Sequence, residues 1–247
     1  MFEHFDDVDH VAGRHFQQVE CGDKRFELRL AAVAAGVERD GFVNRGLIAA
    51  ADLPGAAERL AQAAAVRAAL EEEGFVAIGL DHFAHPDDPL AIAARNGHMR
   101  RNFQGYTTDQ ADTLLAFGPS SISRLPQGFI QAQSDTQIWM KQVQAGDLPA
   151  ARGIALTQDD YLRSHIIEEL MCALSVDVEA AAQRHQADPA QFLPALQAMK
   201  PYLDHGMAVL SGWQLTIKPE WRVAARSIAA LFDAYLESGT QRHSVAV

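Results

Sequence analysis

Apolar residues along this chain recur with two spacings, and the spacing predicts the elements. From about residue 51, Asp52-Leu53-Pro54-Gly55 reads as a helix start. Leu60, Ala63, Val66 and Leu70 follow at three- and four-residue intervals, which predicts an amphipathic helix that Gly74 ends as a left-handed cap. Phe75-Val76-Ala77-Ile78-Gly79-Leu80 is then an unbroken apolar run, the pattern of a strand buried on both faces, and it ends in the polar start of Asp81-His82-Phe83. Helix, glycine, buried strand and polar residues at the strand's C-terminal end is the grammar of α/β proteins, whose barrels gather their sites at that end. Pro86-Asp87-Asp88-Pro89 opens a second short helix through Ala94, and Gly97 closes it.

From about residue 150 the pattern turns helical. Thr157-Gln158-Asp159-Asp160 resembles a capping box with Asp in place of Glu, and Leu162, Ile166, Leu170 and Leu174 form the stripe behind it. Helices are expected at 177 to 186 and 189 to 204. A hairpin follows, with Met207 to Leu210 and Trp213 to Ile217 joined at Ser211-Gly212. Pro219 suits a first helical position, and Trp221, Ala224, Ile228, Leu231 and Tyr235 would line one face of the last helix. Three helices, a hairpin and a closing helix suggest a winged-helix arrangement. Residues 1 to 45 are not decided by periodicity: Phe26 to Val37 fits a short helix or a strand, with turns at Asp40-Gly41 and Asn44-Arg45-Gly46.

Composition narrows the function classes. The 247 residues are 48% hydrophobic and 21% charged, the balance of a globular protein. A net charge of −11 opposes binding to phosphate backbones or anionic lipid. Residues 157 to 247 carry seven Lys or Arg against eleven Asp or Glu, so a winged helix here has no basic recognition face and is expected to pack on the preceding domain. No secretory signal or long apolar span is visible, so a cytoplasmic protein without membrane contact is expected. The two cysteines, Cys21 and Cys172, make neither a disulfide framework nor a zinc motif.

Candidate chemistry is sparse. His82-Phe83-Ala84-His85 places two imidazoles three positions apart, but no third and fourth ligand motif accompanies them, so a structural or solvent-exposed role is the simpler reading. Asp81 is either an acid, base or polar anchor at a strand end, or the cap of the following turn. Cys172 reads as a buried small hydrophobe in the stripe of its helix. Asn102 to Thr108 sets a side-chain amide beside a glycine between Phe103 and Tyr106; that suits recognition of a polar ligand away from water, or an ordinary β-turn. In Pro119-Ser120-Ser121-Ile122-Ser123, small residues would let the backbone come close to a ligand.

Three segments in order carry a family resemblance. They are Ile78-Gly79-Leu80-Asp81-His82-Phe83-Ala84 with Pro86-Asp87-Asp88, Arg101-Asn102-Phe103-Gln104-Gly105-Tyr106-Thr107-Thr108, and Arg152-Gly153-Ile154-Ala155-Leu156-Thr157. From about Leu47 onward the chain resembles the C-terminal part of oxygen-independent coproporphyrinogen III oxidase, a radical S-adenosylmethionine family of haem biosynthesis. The resemblance implies an α/β partial barrel remnant at 46–130 and a mainly α-helical, winged-helix-like domain at 131–247, after an unmatched segment at 1–45. It implies coproporphyrinogen III as substrate, with two propionates oxidatively decarboxylated to vinyls, and S-adenosylmethionine and a [4Fe-4S] cluster as cofactors. Gln104 and Ile122 match positions lining a second S-adenosylmethionine site. The family holds its cluster with a C-x-x-x-C-x-x-C motif, which two isolated cysteines cannot supply. A truncated form, inactive alone, is therefore expected, the alternative being a porphyrin-, S-adenosylmethionine- or protein-binding module without catalysis. Family members are monomeric, whereas an opened barrel edge near Phe75 to Leu80 predicts self-association of this chain.

Overall fold

The computed structural model describes the backbone of residues 19–21 and 24–26, and all of residues 54–103 and 105–236. Strands β1 (Val19–Cys21) and β2 (Lys24–Phe26) pair antiparallel. The remaining expectations for residues 1 to 45 lie outside the described residues.

Helix α1 (Ala56–Glu72) ends as its sequence dictates: Gly74 takes φ +87°, and the amides of Gly74 and Phe75 bond back to the carbonyls of Glu71 and Leu70, closing the last turn. Its apolar stripe is only half covered among the described residues, and Leu60 is 49% exposed. The run after Gly74 departs from the expected doubly buried strand. Strand β3 (Val76–Ile78) turns at Gly79–Asp81 and returns antiparallel as β4 (His82–Ala84), in register Ile78 with His82. Gly79, at φ +55°, makes that reversal possible and leaves room for a ring: a Cβ there would lie 2.0 Å from Tyr106 Cζ. Helix α2 (Pro89–Arg95) begins with Asp88 accepting from the Leu90 amide, as the Asp-Pro sequence predicts.

A second hairpin follows, β5 (Arg100–Asn102) and β6 (Gly105–Thr107), in register Asn102 with Gly105. Strands β7 (Ile122–Leu125), β8 (Gly128–Ala132) and β9 (Ala150–Ala155) form an antiparallel sheet, with α3 (Thr136–Ala145) between β8 and β9. Among the described residues every strand pairing is antiparallel, the sheets have two or three strands, and no closed barrel forms.

The main core surrounds α4 (Gln158–Ala173). Thr157 caps it in the expected box: its hydroxyl accepts from the Asp160 amide, and Asp160 accepts from the Thr157 amide at 2.7 Å. Leu162, Ile166 and Leu170 are fully buried, each worth roughly 2 kcal/mol of apolar burial. They pack with β10 (Ser175–Asp177), α5 (Val178–Arg184), the 3-10 turn Pro189–Phe192, α6 (Leu193–Ala198) and α7 (Lys200–Asp204). The hairpin β11 (Ala208–Ser211) and β12 (Gln214–Ile217) pairs with β10 in the order β10-β12-β11. Its two-residue turn is Gly212-Trp213, one position later than the sequence pattern suggests, because Gly212 at φ +61° takes the first central position. The closing segment is a 3-10 turn, Pro219–Ala224, then α8 (Ala225–Ala230). Ala225, Ile228, Ala229 and Phe232 are buried, and Ala224 and Leu231 of the expected stripe pack against the same core, but the backbone is non-helical at Trp221 and α8 ends at Ala230, so the stripe is not one continuous helix.

Candidate functional site

The tract Asn102 to Thr108 is a hairpin wedged between three elements, and its side chains show why. Tyr106 projects from β6 into the gap above Gly79. Its hydroxyl accepts a hydrogen bond from the Leu80 amide at 3.0 Å and donates one to the Met171 carbonyl of α4 at 3.0 Å. That carbonyl belongs to the last turn of α4, where no intrahelical amide is available to it. Burial pushes the Tyr106 phenol above its usual range, so it stays a neutral donor. Arg222, from the 3-10 turn near the C-terminus, closes the same hairpin tip by donating to the Gly79 carbonyl at 2.9 Å. On β5, Glu168 of α4 accepts from Arg100 Nε at 2.9 Å and from the Arg101 amide at 3.2 Å. The guanidinium of Arg101 lies 6.0 Å from the Tyr106 ring centre.

Asp81 and His82 sit at the start of β4, against this hairpin. Asp81 Oδ1 is 2.8 Å from His82 Nδ1, and the His82 ring meets Tyr106 edge to face at 5.0 Å. The hydrogen bond from His82, followed by the charges of His82, Arg226 and Arg101, outweighs desolvation and holds the Asp81 carboxyl below its usual range. His85 packs on Phe75, with ring centres 4.3 Å apart. The two histidines of the H-x-x-H spacing contact different partners, Asp81 and Tyr106 for His82 and Phe75 for His85.

The other end of the hairpin meets the β7-β8-β9 sheet. Phe103 stacks edge to face on Phe129, with centroids 5.5 Å apart, and Ile122, Ile154, Leu156 and Tyr235 pack around the same ring. The strand register puts Ile122, Arg124, Phe129, Gln131, Arg152 and Ile154 on one face. Gln131 is buried there, accepting from Arg152 Nε at 2.5 Å and donating to the Ser120 carbonyl at 3.2 Å. A shallow cleft beside the hairpin is lined by Arg100, Arg101, Asn102, Phe103, Leu114 and Arg124. Of the two residues singled out in the sequence, Ile122 stands on this face. Gln104 lies outside the described residues, but its neighbours Phe103 and Gly105 frame the turn. The hydroxyls of Ser121 and Ser123 are engaged with the 116–118 loop: Ser121 donates to the Gly118 carbonyl at 2.7 Å and Ser123 accepts from the Ala116 amide at 3.1 Å. The latch residues Tyr106 and Arg222 are not evident from periodicity; the one sequence signal for Tyr106 is its place beside a glycine in a polar tract.

The fold is shared first with a radical S-adenosylmethionine enzyme. The chain superposes on coproporphyrinogen III oxidase from Escherichia coli, described as a radical SAM enzyme, with a TM-score of 0.71 at 35% identity over 76% of this chain and 44% of that one. Sequence relatives narrow the class. An oxygen-independent coproporphyrinogen III oxidase from Bradyrhizobium diazoefficiens is 44% identical over 206 residues, 83% of this chain and 45% of the relative. The same-named protein of Salmonella typhimurium is 37% identical over 196 residues, 79% of this chain and 43% of the relative. The chain is thus similar over most of its length to oxygen-independent coproporphyrinogen III oxidases. It spans less than half the length of these relatives, which fits the C-terminal part that its motifs resemble. No protein-family model matches it.

The likeness to a radical SAM enzyme implies S-adenosylmethionine and a [4Fe-4S] cluster in that enzyme's family. The donors of this chain do not fit the cluster. Cys172 is pushed up to about 12, first by burial and then by the Glu168 carboxylate, so it stays a thiol where a cluster needs thiolates. Only Cys21 accompanies it in the whole sequence. Among the described residues, no group of three His, Cys, Asp or Glu side chains is placed to hold a metal, and no helix is long and apolar enough to cross a membrane.

Proposed function

We propose that this chain is the ligand-holding part of an oxygen-independent coproporphyrinogen III oxidase: it lines a second S-adenosylmethionine site but cannot by itself run the radical step. The complete enzyme would take coproporphyrinogen III and oxidatively decarboxylate two propionates. In this reading Gln104 hydrogen-bonds the ligand through its amide and Ile122 shields it from water. The carrying observation is the shared packing of Phe103 and Ile122 on Phe129, which supports a common site for the turn and the β7 face. The inability to run chemistry rests on the two cysteines and the neutral Cys172 thiol.

The finer architecture belongs to the same proposal. Residues 46–130 are the remnant of a radical-SAM barrel, 131–247 form the winged-helix-like cover, and the protein works in the cytoplasm. Phe117 and Leu148, 90% and 88% exposed, support self-association of this chain at high concentration. Sedimentation as a sharp monomer at high protein concentration would contradict it. The functional reading is tested by equilibrium titration of S-adenosylmethionine and coproporphyrin III into the purified protein. Saturable binding of at least one, weakened about tenfold by Gln104→Ala or Ile122→Ala, is expected. No binding of either at millimolar concentration overturns the reading.

A further inference from the structure

The cleft beside the β5–β6 hairpin holds two guanidiniums that the fold itself does not use. Arg124 stands on β7, where its amide donates to the Leu114 carbonyl at 2.9 Å and its carbonyl accepts from the Leu114 amide at 2.8 Å. Strand alternation puts it on the face that carries Ile122 and Phe129. Its side chain lines the cleft half-buried, with no hydrogen bond or ion pair among the described residues. Arg101 enters the same cleft from β5, and its guanidinium has the Tyr106 ring beside it but no hydrogen bond among the described residues. The nearby carboxylates are engaged elsewhere. Glu168 accepts from Arg100 Nε at 2.9 Å, and Asp112 lies 3.9 Å from Arg100 Nη1. Asp109, on the cleft lining, accepts from the Ala111 amide at 2.9 Å, and Asp81, which feels the Arg101 charge, is bonded to His82. Taking a guanidinium out of water without a partner is costly, so partly buried arginines are ordinarily paired. Two that lack a partner on one cleft, in a chain of net charge −11, mark a place for an anion.

We infer, resting on the ligand reading proposed above, that Arg101 and Arg124 bind a propionate arm of the tetrapyrrole, with Phe103 and Leu114 taking the apolar carbons beside it. A guanidinium meets a carboxylate through paired N–H donors, and such charge-assisted bonds are about twice as strong as neutral ones. The same lining supplies Phe103 and Leu114, so an alkyl-linked carboxylate finds both an apolar surface and a cationic one. The amino-acid end of S-adenosylmethionine carries an ammonium next to its carboxylate, and the three arginines of the cleft repel it. A propionate brings no such charge. Phe103 packs on Phe129 in the same cluster as Ile122, so a carboxylate held in the cleft lies beside the face proposed for S-adenosylmethionine and does not compete for it.

Equilibrium titrations of the full chain with coproporphyrin III, with its uncharged tetra-amide and with S-adenosylmethionine test this, the urea midpoint of the free protein being recorded for each variant. Arg124→Met is expected to weaken coproporphyrin III about tenfold or more and to leave the tetra-amide and S-adenosylmethionine within about twofold. It should keep or raise the urea midpoint, because the charge it removes has no partner in the fold. Arg101→Gln should weaken the same ligand in the same way, and Arg124→Lys should recover part of the affinity. Arg95→Ala, exposed at the end of α2, should change nothing. Wild-type binding of S-adenosylmethionine alone, or coproporphyrin III affinity that Arg124→Met leaves unchanged, overturns the inference while sparing the ligand site. Loss confined to S-adenosylmethionine does the same. A midpoint lowered in both arginine variants, with the tetra-amide weakened as much as the acid, makes the arginines structural and overturns the inference. Binding of neither coproporphyrin III nor S-adenosylmethionine by wild type overturns both readings.

Discussion

Replacing Tyr106 by Phe removes one oxygen and keeps the ring that fills the space over Gly79 and braces His82. That oxygen makes two bonds of 3.0 Å, accepting from the Leu80 amide and donating to the Met171 carbonyl. A typical intramolecular hydrogen bond is worth about 1 kcal/mol net, and a buried group left without a partner costs about 1–3 kcal/mol. Both partners here are part-buried, so water can reach some of what is lost, and the sum for the pair is about 2 kcal/mol. That corresponds to roughly a thirtyfold shift in the equilibrium for releasing the β3–β4 tip from α4, at about 1.4 kcal/mol per factor of ten. Native-state amide exchange at Leu80 reads this directly, and the urea midpoint reports how much reaches global stability. Leu80 protection changed by less than about threefold in Tyr106→Phe, with the ring still packed on His82, would refute the latch.

Gly128→Ala should cost several kcal/mol, about 3 or more, because the residue sits at φ +156° and a Cβ would lie 1.9 Å from the Ile154 carbonyl oxygen; a urea midpoint within error of wild type would contradict the packing of β8 on β9. In a Cys21→Ser background, Cys172 should resist iodoacetamide at pH 8 until urea unfolds the protein, since its thiol is pushed up to about 12. Rapid alkylation of the folded protein would show that burial to be wrong. The Asp81 carboxyl is lowered from 3.8 by His82, so its stabilising contribution is present above that unfolded value and fades as pH falls through the lower folded one. The effect is small because the Asp81 side chain is 74% exposed, but Asp81→Asn should flatten the acid limb of a stability–pH curve below pH 4; an unchanged limb would argue against the pair.

What could be read from the sequence was what local rules decide. The Thr157–Asp160 cap, the glycine stop at Gly74 and the buried row Leu162, Ile166 and Leu170 each follow from a few neighbouring residues, and all are found in the structure. The run Phe75 to Leu80 suggests a doubly buried strand because an apolar run looks the same in a short hairpin as in a parallel sheet. Its reversal depends on Gly79 making room for Tyr106, a contact 27 positions away that no local pattern encodes. The last helix is shorter than its apolar stripe suggests for a comparable reason, the non-helical backbone at Trp221, although Ala224, Ile228 and Leu231 do face the core. At the candidate site, the Asn102 to Thr108 tract and Ile122 were legible through motif resemblance, and their common partner Phe129 was not, since a lone phenylalanine in a strand signals only burial. Arg222 reaches Gly79 across 143 positions, beyond anything spacing could indicate.

Amide hydrogen exchange measured with and without saturating S-adenosylmethionine, and separately with coproporphyrin III, tests the central claim most directly. If the turn at Gln104 and the β7 face form one ligand site, peptides covering residues 101–108 and 120–125 should slow together, by about tenfold, with at least one ligand. A ligand that binds while both peptides exchange as in the free protein, with protection confined to other segments, would contradict it.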